Sequence, residues 1–398
     1  MTHDGGSSHV QRFSISIPDA DLAELRQRIR STRWPDALDG GAWYGGADLG
    51  FMRRLAEYWT TTFDWRAQEA ALNQLPQYLC DVDGTAIHFV HIKGRRPGAI
   101  PLMLIHGWPG TFAELLKLVP LLSGDDDGDA EQPAFDLVIP SIPGFAFSAH
   151  PMRPGMSVRR IAELFIRLMR RLGYDRFAAQ GGDWGAAIAT WMARLSPESL
   201  LGIHLNFLPG SYEPFVDSER APATDEEEGF RRRQSAWREQ QGAYGQLQRT
   251  TPQTPAYALN DSPIGLAAWI AEKLRWWTDC AGDLEASVSL DELLTNICIY
   301  WFSASIGSSM HLYQESSGAP LHLAAGEKIR PPTAFASFPK DVWLPPRQWI
   351  ERGYNLTHFT EMPRGGHFAA LEEPALLAAD IRSFFDSLDA GARGAGHR

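Results

Sequence analysis

One short stretch of the sequence combines residue types and spacing that could do covalent chemistry: Gln180-Gly181-Gly182-Asp183-Trp184-Gly185. Small residues stand two positions before and two positions after Asp183, as they do in the strained strand-to-helix turn that exposes a nucleophile. An aspartate in that position would attack an electrophilic carbon and form an ester. The same residue could instead cap a helix that begins at Trp184, so the motif alone leaves both roles open.

A second motif, Ile105-His106-Gly107-Trp108-Pro109-Gly110, ends a short apolar run and opens a loop. In hydrolases with such a nucleophile turn, this loop supplies one backbone N–H of the oxyanion hole, and the residue after the nucleophile supplies the other. We therefore expect the backbone N–H groups of Trp108 and Trp184 to form the oxyanion hole. His106 is interpreted as a residue that organises the loop and not as a base.

A third motif, Arg364-Gly365-Gly366-His367-Phe368, follows the last predicted strand. His367 comes after the candidate nucleophile in chain order and is flanked by glycines, which fits a general base at a strand end. An acid that orients the imidazole should follow the preceding strand, and Asp341 occupies that loop. Glu361 and Glu351 are the rivals, but the first lies within a predicted strand and the second in a helix-like stretch.

The elements that must position these residues alternate between strands and helices from Gln77 onward. Eight segments have the composition of strands: Tyr78–Val82, Ile87–Ile92, Leu102–Ile105, Phe135–Ile139, Phe177–Gln180, Leu201–Leu205, Thr333–Ser337 and Leu356–Met362. Asp83-Gly84 joins the first two and is typical of a type I′ hairpin turn. An acidic turn at Asp125–Asp127 is interpreted as a solvated loop. Apolar strands that alternate with amphipathic helices predict a mostly parallel sheet covered on both faces.

Two helical regions complete this organisation. The first helix is predicted to start at Asp21, where Glu24 gives a capping-box pattern, and to stop before Trp34-Pro35. The alternation breaks after residue 208, where aromatic helical stretches (Leu266–Trp277 and Leu293–Phe302) and a loop rich in proline and glutamate (Pro209–Glu228) show no strand pattern. The predicted units are a helical N-terminal extension (1–76), an α/β core (77–208 and 321–390), an inserted helical lid (209–320) and a tail (391–398) that frays after Asp389.

Composition excludes several classes of protein. The 398 residues are 44% hydrophobic and 21% charged, which is typical of a globular chain with a large core. A formal net charge of −11 disfavours nucleic-acid binding. No apolar stretch is long enough to span a membrane, and no leader peptide is visible. Cys80, Cys280 and Cys298 are predicted to be reduced thiols of a cytoplasmic protein. The 14 tryptophans and 20 phenylalanines could fill the core or line an apolar pocket.

Four stretches together resemble the α/β-hydrolase-fold epoxide hydrolases of the microsomal and juvenile-hormone type: HGWPG (His106–Gly110), PGFAFS (Pro143–Ser148), QGGDWG (Gln180–Gly185) and GGHFAALEEP (Gly365–Pro374). The resemblance runs from Phe13 to Leu388. It implies an α/β-hydrolase fold: a mostly parallel eight-stranded sheet with helices on both faces, an inserted helical lid and an N-terminal epoxide-hydrolase domain. It also implies two lid tyrosines that donate protons, which match Tyr244 and Tyr313; the sequence alone would assign both to the core.

This chain departs from the family pattern in two ways. The membrane anchor of the animal microsomal members is absent, so a soluble enzyme is expected. The acid of the triad is Asp341, where some relatives have glutamate, and either residue can orient a histidine. The resemblance requires neither a metal nor an organic cofactor and is compatible with a homodimer.

The expected activity is hydrolysis of a small apolar epoxide to a diol through an ester on Asp183. Tyr244, Tyr313, Trp108 and Trp184 are also expected to contact the substrate. A haloalkane dehalogenase would share the aspartate, but it requires N–H donors for halide rather than acidic phenols. A serine esterase is excluded by the aspartate. A non-catalytic relative that binds ligands should have lost a member of the triad, and all candidates are present here.

Overall fold

A single mixed sheet organises the protein in a computed structural model that describes residues 10–124, 133–217, 222–318 and 320–395. Within these residues the sheet has nine strands in the order β1-β2-β3-β5-β4-β6-β7-β8-β9. Their bounds are β1 (Val10–Phe13), β2 (Gln77–Val82), β3 (Thr85–Ile92), β4 (Ile100–Ile105), β5 (Phe135–Pro140), β6 (Phe177–Gly181), β7 (Leu200–Leu205), β8 (Ile329–Ser337) and β9 (Tyr354–Glu361).

The sheet is antiparallel at one edge and parallel through the rest. Strands β1, β2, β3 and β5 pair antiparallel, whereas β5, β4, β6, β7, β8 and β9 pair parallel. Asp83 and Gly84 connect β2 to β3 with φ values of 55° and 79°, as a type I′ turn requires, so the predicted hairpin is confirmed. The central strands β4 and β6 are apolar and almost wholly buried, which is typical of parallel strands covered on both faces.

The predicted fold class is confirmed, but the predicted number of strands is wrong. The additional strand is β1, which pairs with β2 so that Val10 lies opposite Cys80. Its four residues, VQRF, are mostly exposed and carry no alternation of apolar and polar side chains. Such a short edge strand leaves no periodic signal in the sequence.

Helices α1 to α6 have the bounds α1 (Asp19–Arg30), α2 (Leu49–Thr61), α3 (Trp65–Asn73), α4 (Leu118–Ser123), α5 (Val158–Arg171) and α6 (Asp183–Leu195). The later helices are α7 (Asp225–Gln241), α8 (Ala243–Thr250), α9 (Gln253–Asp261), α10 (Pro263–Trp277), α11 (Leu290–Ser303), α12 (Ile306–Ser317), α13 (Arg347–Gly353), α14 (Ala369–Glu372) and α15 (Pro374–Ala395). Helices α5 and α6 pack together, and α15 packs on α4, β7 and β8.

Helices α7 to α12 lie between β7 and β8, and the N-terminal helices pack on them. Helices α1 and α2 contact α10, and α3 contacts α11. Two polar contacts reinforce this attachment: Arg28 forms an ion pair with Asp261 at 2.7 Å, and the Tyr58 hydroxyl donates to Asp291 at 2.9 Å. The N-terminal helices therefore support the helical insertion, which we call the lid.

Several predicted boundaries differ from the structure. Helix α1 begins at Asp19, directly after Pro18, so the capping box predicted at Asp21 does not form. Helix α7 begins inside the segment predicted as a loop, and there a capping box does form between Thr224 and Glu227. Helix α15 continues past Asp389, where the sequence analysis places the start of a frayed tail, and ends at Ala395. The acidic turn predicted at Asp125–Asp127 lies outside the described residues.

Candidate active site

Asp183 lies at the sharp turn where β6 ends and α6 begins. Its φ of 45° is in the left-handed region, which is strained for a residue with a side chain. The turn is tight because a Cβ added at Gly181 would lie 2.3 Å from the carbonyl carbon of Gly185, so the two small residues of the motif must stay small. Asp183 does not cap the helix, because Gly182 occupies the N-cap position and the carboxylate is bound elsewhere.

The loop after β4 supplies the partner of this carboxylate. The backbone N–H of Trp108 donates to Asp183 Oδ1 at 2.8 Å. His106 holds the loop in place: its Nδ1 donates to the Gly107 carbonyl at 3.0 Å, and its Nε2 accepts from the Ile142 N–H at 3.1 Å. Burial lowers the pKa of His106 to about 4, which keeps the ring neutral, and a neutral ring can both donate and accept. Trp184, the other expected oxyanion donor, directly follows Asp183 in α6.

Residues of the lid also bind the loop that carries Trp108, which the sequence did not indicate. Asn296 on α11 donates from Nδ2 to the Pro109 carbonyl at 2.8 Å and accepts from the Thr111 hydroxyl at 2.9 Å. Tyr300, one turn further along α11, donates to the Gly110 carbonyl at 2.9 Å. The position of the Trp108 N–H therefore depends on contacts from the lid as well as from the core.

His367 and Asp341 meet Asp183 from the loops that follow β9 and β8. His367 Nδ1 lies 2.7 Å from Asp341 Oδ1, and His367 Nε2 lies 3.3 Å from Asp183 Oδ2. The backbone N–H of His367 donates to the Trp277 carbonyl of the lid at 2.8 Å. The side chains of His367 and Asp341 are each only 2% exposed, so they interact with little screening by water.

The two rival acids do not reach His367. Glu361 is exposed at the last position of β9. Glu351 pairs with Arg347 within α13 at 2.7 Å. Of the three candidates, Asp341 is the one that the structure brings into hydrogen-bonding contact with the histidine.

The charges of the two aspartates dominate the electrostatics of His367. Burial opposes the charged imidazolium, but the charges and hydrogen bonds of Asp341 and Asp183 outweigh burial and raise the pKa of His367 to about 10. Burial also raises the pKa of Asp341, and the adjacent His367 partly offsets this effect. In the free protein the histidine is therefore protonated between two acids at neutral pH.

Tyr244 on α8 and Tyr313 on α12 bring two phenols to the same place. The Tyr244 ring stacks on Trp108 with centroids 5.3 Å apart, and the Tyr313 ring meets Trp184 edge-on at 4.7 Å. The two tyrosine rings are 6.0 Å apart. Burial raises the pKa of both phenols well above the usual value, and the charge of Asp183 raises each of them further. Both phenols are therefore neutral and able to donate hydrogen bonds.

A cavity of about 680 Å³ lies between the lid and the core. Asp183, His367 and both phenols border it, together with an aromatic wall formed by Trp184, Phe207, Trp237, Trp277 and Trp343. The composition left open whether the aromatic residues fill the core or line a pocket, and these five line the pocket. Trp108, expected to contact the substrate, is instead fully buried against Tyr244 and is not among the described residues that line this cavity.

Among the described residues, no group of histidine, cysteine, aspartate and glutamate side chains is arranged to hold a metal ion. Within the same residues, no helix combines the length and the apolar character that crossing a bilayer demands. Cys80, Cys280 and Cys298 are buried free thiols.

Comparison with known proteins identifies similar sequences and structures. A family model described as "Epoxide hydrolase N terminus" matches residues 10–115, and one described as "alpha/beta hydrolase fold" matches residues 100–271. Epoxide hydrolase 1 of Sus scrofa is 38% identical over 412 residues, which cover 96% of this chain and 89% of that protein.

Two solved structures extend the similarity to the fold. The crystal structure of juvenile hormone epoxide hydrolase from Bombyx mori superposes with a TM-score of 0.83 at 29% identity, covering 96% of this chain and 95% of that one. The structure of Aspergillus niger epoxide hydrolase gives a TM-score of 0.83 at 30% identity, covering 96% and 97% of the two chains.

Proposed function

The chain belongs to the epoxide hydrolase family, and we propose that it hydrolyses an apolar epoxide to a vicinal diol in two steps, through an ester on Asp183. One observation carries this proposal. The Asp183 carboxylate lies between the Trp108 N–H at 2.8 Å and His367 Nε2 at 3.3 Å, at the border of a cavity into which two neutral phenols face. A nucleophile, a base and two proton donors thus share one site.

In the first step Asp183 opens the ring. A carboxylate oxygen forms a bond to one epoxide carbon while the bond from that carbon to the epoxide oxygen breaks. The oxygen becomes an alkoxide, whose pKa exceeds that of a phenol, and it takes a proton from Tyr244 or Tyr313. Attack also neutralises the charge of Asp183, which contributes to the raised pKa of both phenols. The phenols therefore become better acids as the ring opens.

In the second step His367 activates water. Ester formation removes the charge and hydrogen bond of Asp183, which are two of the contributions that raise the pKa of His367 to about 10. The imidazolium can then pass its proton to the phenolate that formed in the first step. The neutral imidazole accepts a proton from water, while Asp341 holds its orientation at 2.7 Å. The water oxygen bonds to Cγ of the ester, and the backbone N–H groups of Trp108 and Trp184 stabilise the oxyanion. The bond from Cγ to the alkyl oxygen breaks, and the diol leaves with a proton from the imidazolium. Asp183 is left as a carboxylic acid, and its proton passes to His367, which restores the starting state.

The cavity supports an apolar substrate. Its volume of about 680 Å³ is within the usual range for small-molecule sites, and tryptophan and phenylalanine side chains form much of its wall near the carboxylate. An aryl or alkyl epoxide would bury its apolar group against these rings and present the epoxide oxygen to the phenols.

Heavy-oxygen labelling tests the ester directly. Excess enzyme is mixed with epoxide for a single turnover in water enriched in the heavy oxygen isotope. We expect the label in the peptide that contains Asp183 and not in the first equivalent of diol, because the diol receives an oxygen of the aspartate. Immediate label in the diol would contradict the ester and favour direct attack of water on the ring. A parallel assay of halide release from haloalkanes separates this activity from dehalogenation.

A further inference from the structure

One acidic side chain beside the site has no part in the mechanism above. Glu114 follows the loop that carries Trp108, in a short turn (Phe112–Leu115). Its Oε1 accepts from the Gly107 N–H at 3.4 Å, whereas Oε2 is buried without a hydrogen-bonding partner among the described residues. A Cβ added at Gly110 would lie 1.5 Å from Oε2, so the loop has a glycine where this carboxyl group sits.

A second, much smaller cavity adjoins Glu114. Its volume is about 20 Å³, which is enough for one water molecule. Glu114, Gln180, Asp183 and His367 all border it. Asp183 and His367 also border the large cavity, so the two residues that would form and hydrolyse the ester contact both spaces.

The polar atoms around the small cavity match the needs of a water molecule. Glu114 Oε2 and Gln180 Oε1 are each buried without a hydrogen-bonding partner among the described residues. His367 Nε2 is buried with Asp183 Oδ2 at 3.3 Å, a contact that is lost when Asp183 forms the ester. Gln180 donates from Nε2 to Asn206 Oδ1 at 2.9 Å, which assigns Oε1 as the free acceptor. Buried waters usually make about three hydrogen bonds to groups that would otherwise be unsatisfied, and three such groups are present here once Asp183 has formed the ester.

We propose that Glu114 is a positioning residue for the second half-reaction: it holds, in the small cavity, the water that His367 deprotonates. This inference rests on the proposed function, since it concerns hydrolysis of the Asp183 ester. The protonated carboxyl donates to the water oxygen, and the water donates to His367 Nε2 and Gln180 Oε1. The second lone pair of the water is then free to bond to Cγ of the ester as the proton moves to Nε2 and the alkyl oxygen departs.

The protonation state of Glu114 agrees with this arrangement. Burial, together with the charge of Asp183, raises the pKa of Glu114 to about 8, so the group carries a proton at neutral pH. Ester formation removes the contribution of Asp183, but burial remains the larger cause. The carboxyl group can therefore still donate a hydrogen bond when the water attacks.

The test compares Glu114→Met with Glu114→Gln. Methionine has a similar length but no donor, so we expect hydrolysis of the alkyl-enzyme to slow by about 10- to 100-fold while ring opening stays close to the wild-type rate. The alkyl-enzyme should accumulate, and kcat and KM should fall together. Glutamine keeps an acceptor for Gly107 and a donor for water, so it should restore most of the lost rate. Rapid quenching followed by intact-protein mass measures both steps.

Gly110→Ala provides a second route to the same group if the methionine variant does not fold. Its methyl group would displace the carboxyl of Glu114 without removing a polar atom, and we again expect slower hydrolysis than ring opening. The inference is overturned if the ester decays at the wild-type rate in the folded variants, if both steps slow equally, or if glutamine is as slow as methionine. Absence of any adduct on Asp183, also in His367→Gln, would instead overturn the proposed function and this inference with it.

Discussion

The core side and the lid side of the large cavity hold their functional groups by different means. On the core side, Asp183, His367 and Asp341 are fixed by hydrogen bonds and opposite charges at separations of 2.7 to 3.3 Å. On the lid side, Tyr244 and Tyr313 are positioned by ring packing against tryptophans at 4.7 to 5.3 Å. Among the groups that would react, the charged ones thus lie on the core side and the neutral donors on the lid side.

This difference corresponds to the two half-reactions. Hydrolysis of an ester needs a base, an acid that orients it and backbone donors, all of which the loops of the core provide. Opening of an epoxide needs in addition a donor that is still protonated beside a carboxylate, and burial under the lid gives the phenols that property. The two sides are not independent, however, because Tyr300 and the Trp277 carbonyl of the lid bind the loops that carry Trp108 and His367.

Removing the nucleophile should have the largest effect. In Asp183→Asn the neutral amide cannot open the ring, so diol production by freshly purified protein should be abolished. Product measured by chromatography is the readout, and near-native turnover would refute the role of Asp183. The protein must be fresh, because an adjacent base and water can deamidate the asparagine slowly, and peptide mapping provides that control.

Removing both lid donors should stop ring opening while the core side remains intact. Each of Tyr244→Phe and Tyr313→Phe is expected to slow alkylation by about 10- to 100-fold, and the double variant should nearly stop it. Single-turnover kinetics under excess enzyme measure this step alone. A double variant that forms the alkyl-enzyme as fast as the wild type would show that the proton donors lie elsewhere.

A change to the orienting acid should affect the other half-reaction. Asparagine in Asp341→Asn has the same shape as the aspartate, whose Oδ1 lies 2.7 Å from His367 Nδ1, but it lacks the negative charge that favours the imidazolium. We expect ester hydrolysis to slow on the order of 100-fold, with ring opening less affected. Decay of preformed alkyl-enzyme is the measurement. Equal slowing of both steps would mean that Asp341 supports the whole site rather than the base.

The pH dependence gives the smallest but most specific contrast. Below the pKa of His367, the fraction of neutral imidazole falls about tenfold for each unit by which the pH is lowered. Because the pKa of about 10 in the free protein includes the contribution of Asp183, the value in the ester should be lower. Hydrolysis of the alkyl-enzyme should therefore rise with pH but stop rising before pH 10, and ionisation of Glu114, whose pKa is about 8 in the free protein, should lower the rate on the alkaline side. A rate that rises until pH 10 would show that ester formation leaves the pKa of His367 unchanged.

The core side was largely predictable from the sequence, because its signals are local. The glycines around Asp183 are required because a Cβ added at Gly181 would lie 2.3 Å from the carbonyl carbon of Gly185. Chain order and strand position singled out His367 and Asp341. The lid side was not predictable in this way. Whether Tyr244 or Trp277 faces a cavity depends on how helices pack, and helical spacing alone does not determine which buried ring borders a space.

Two misses have physical reasons of their own. Strand β1 is too short and too exposed to show a period, so it could be found only through its pairing with β2. Glu114 stands among apolar residues of a helical pattern, where a glutamate usually faces solvent. Only the structure shows that its carboxyl group turns back over Gly110.

The trapped ester of His367→Gln tests the central claim most directly. Attack by Asp183 needs no base, whereas hydrolysis does, so this variant should consume at most one equivalent of epoxide and then stop. Intact-protein mass should increase by the mass of one substrate, and peptide mapping should place the adduct on Asp183. A folded, inactive and unmodified variant would contradict the account, since His367 would then act before the covalent bond forms and water would attack the epoxide directly.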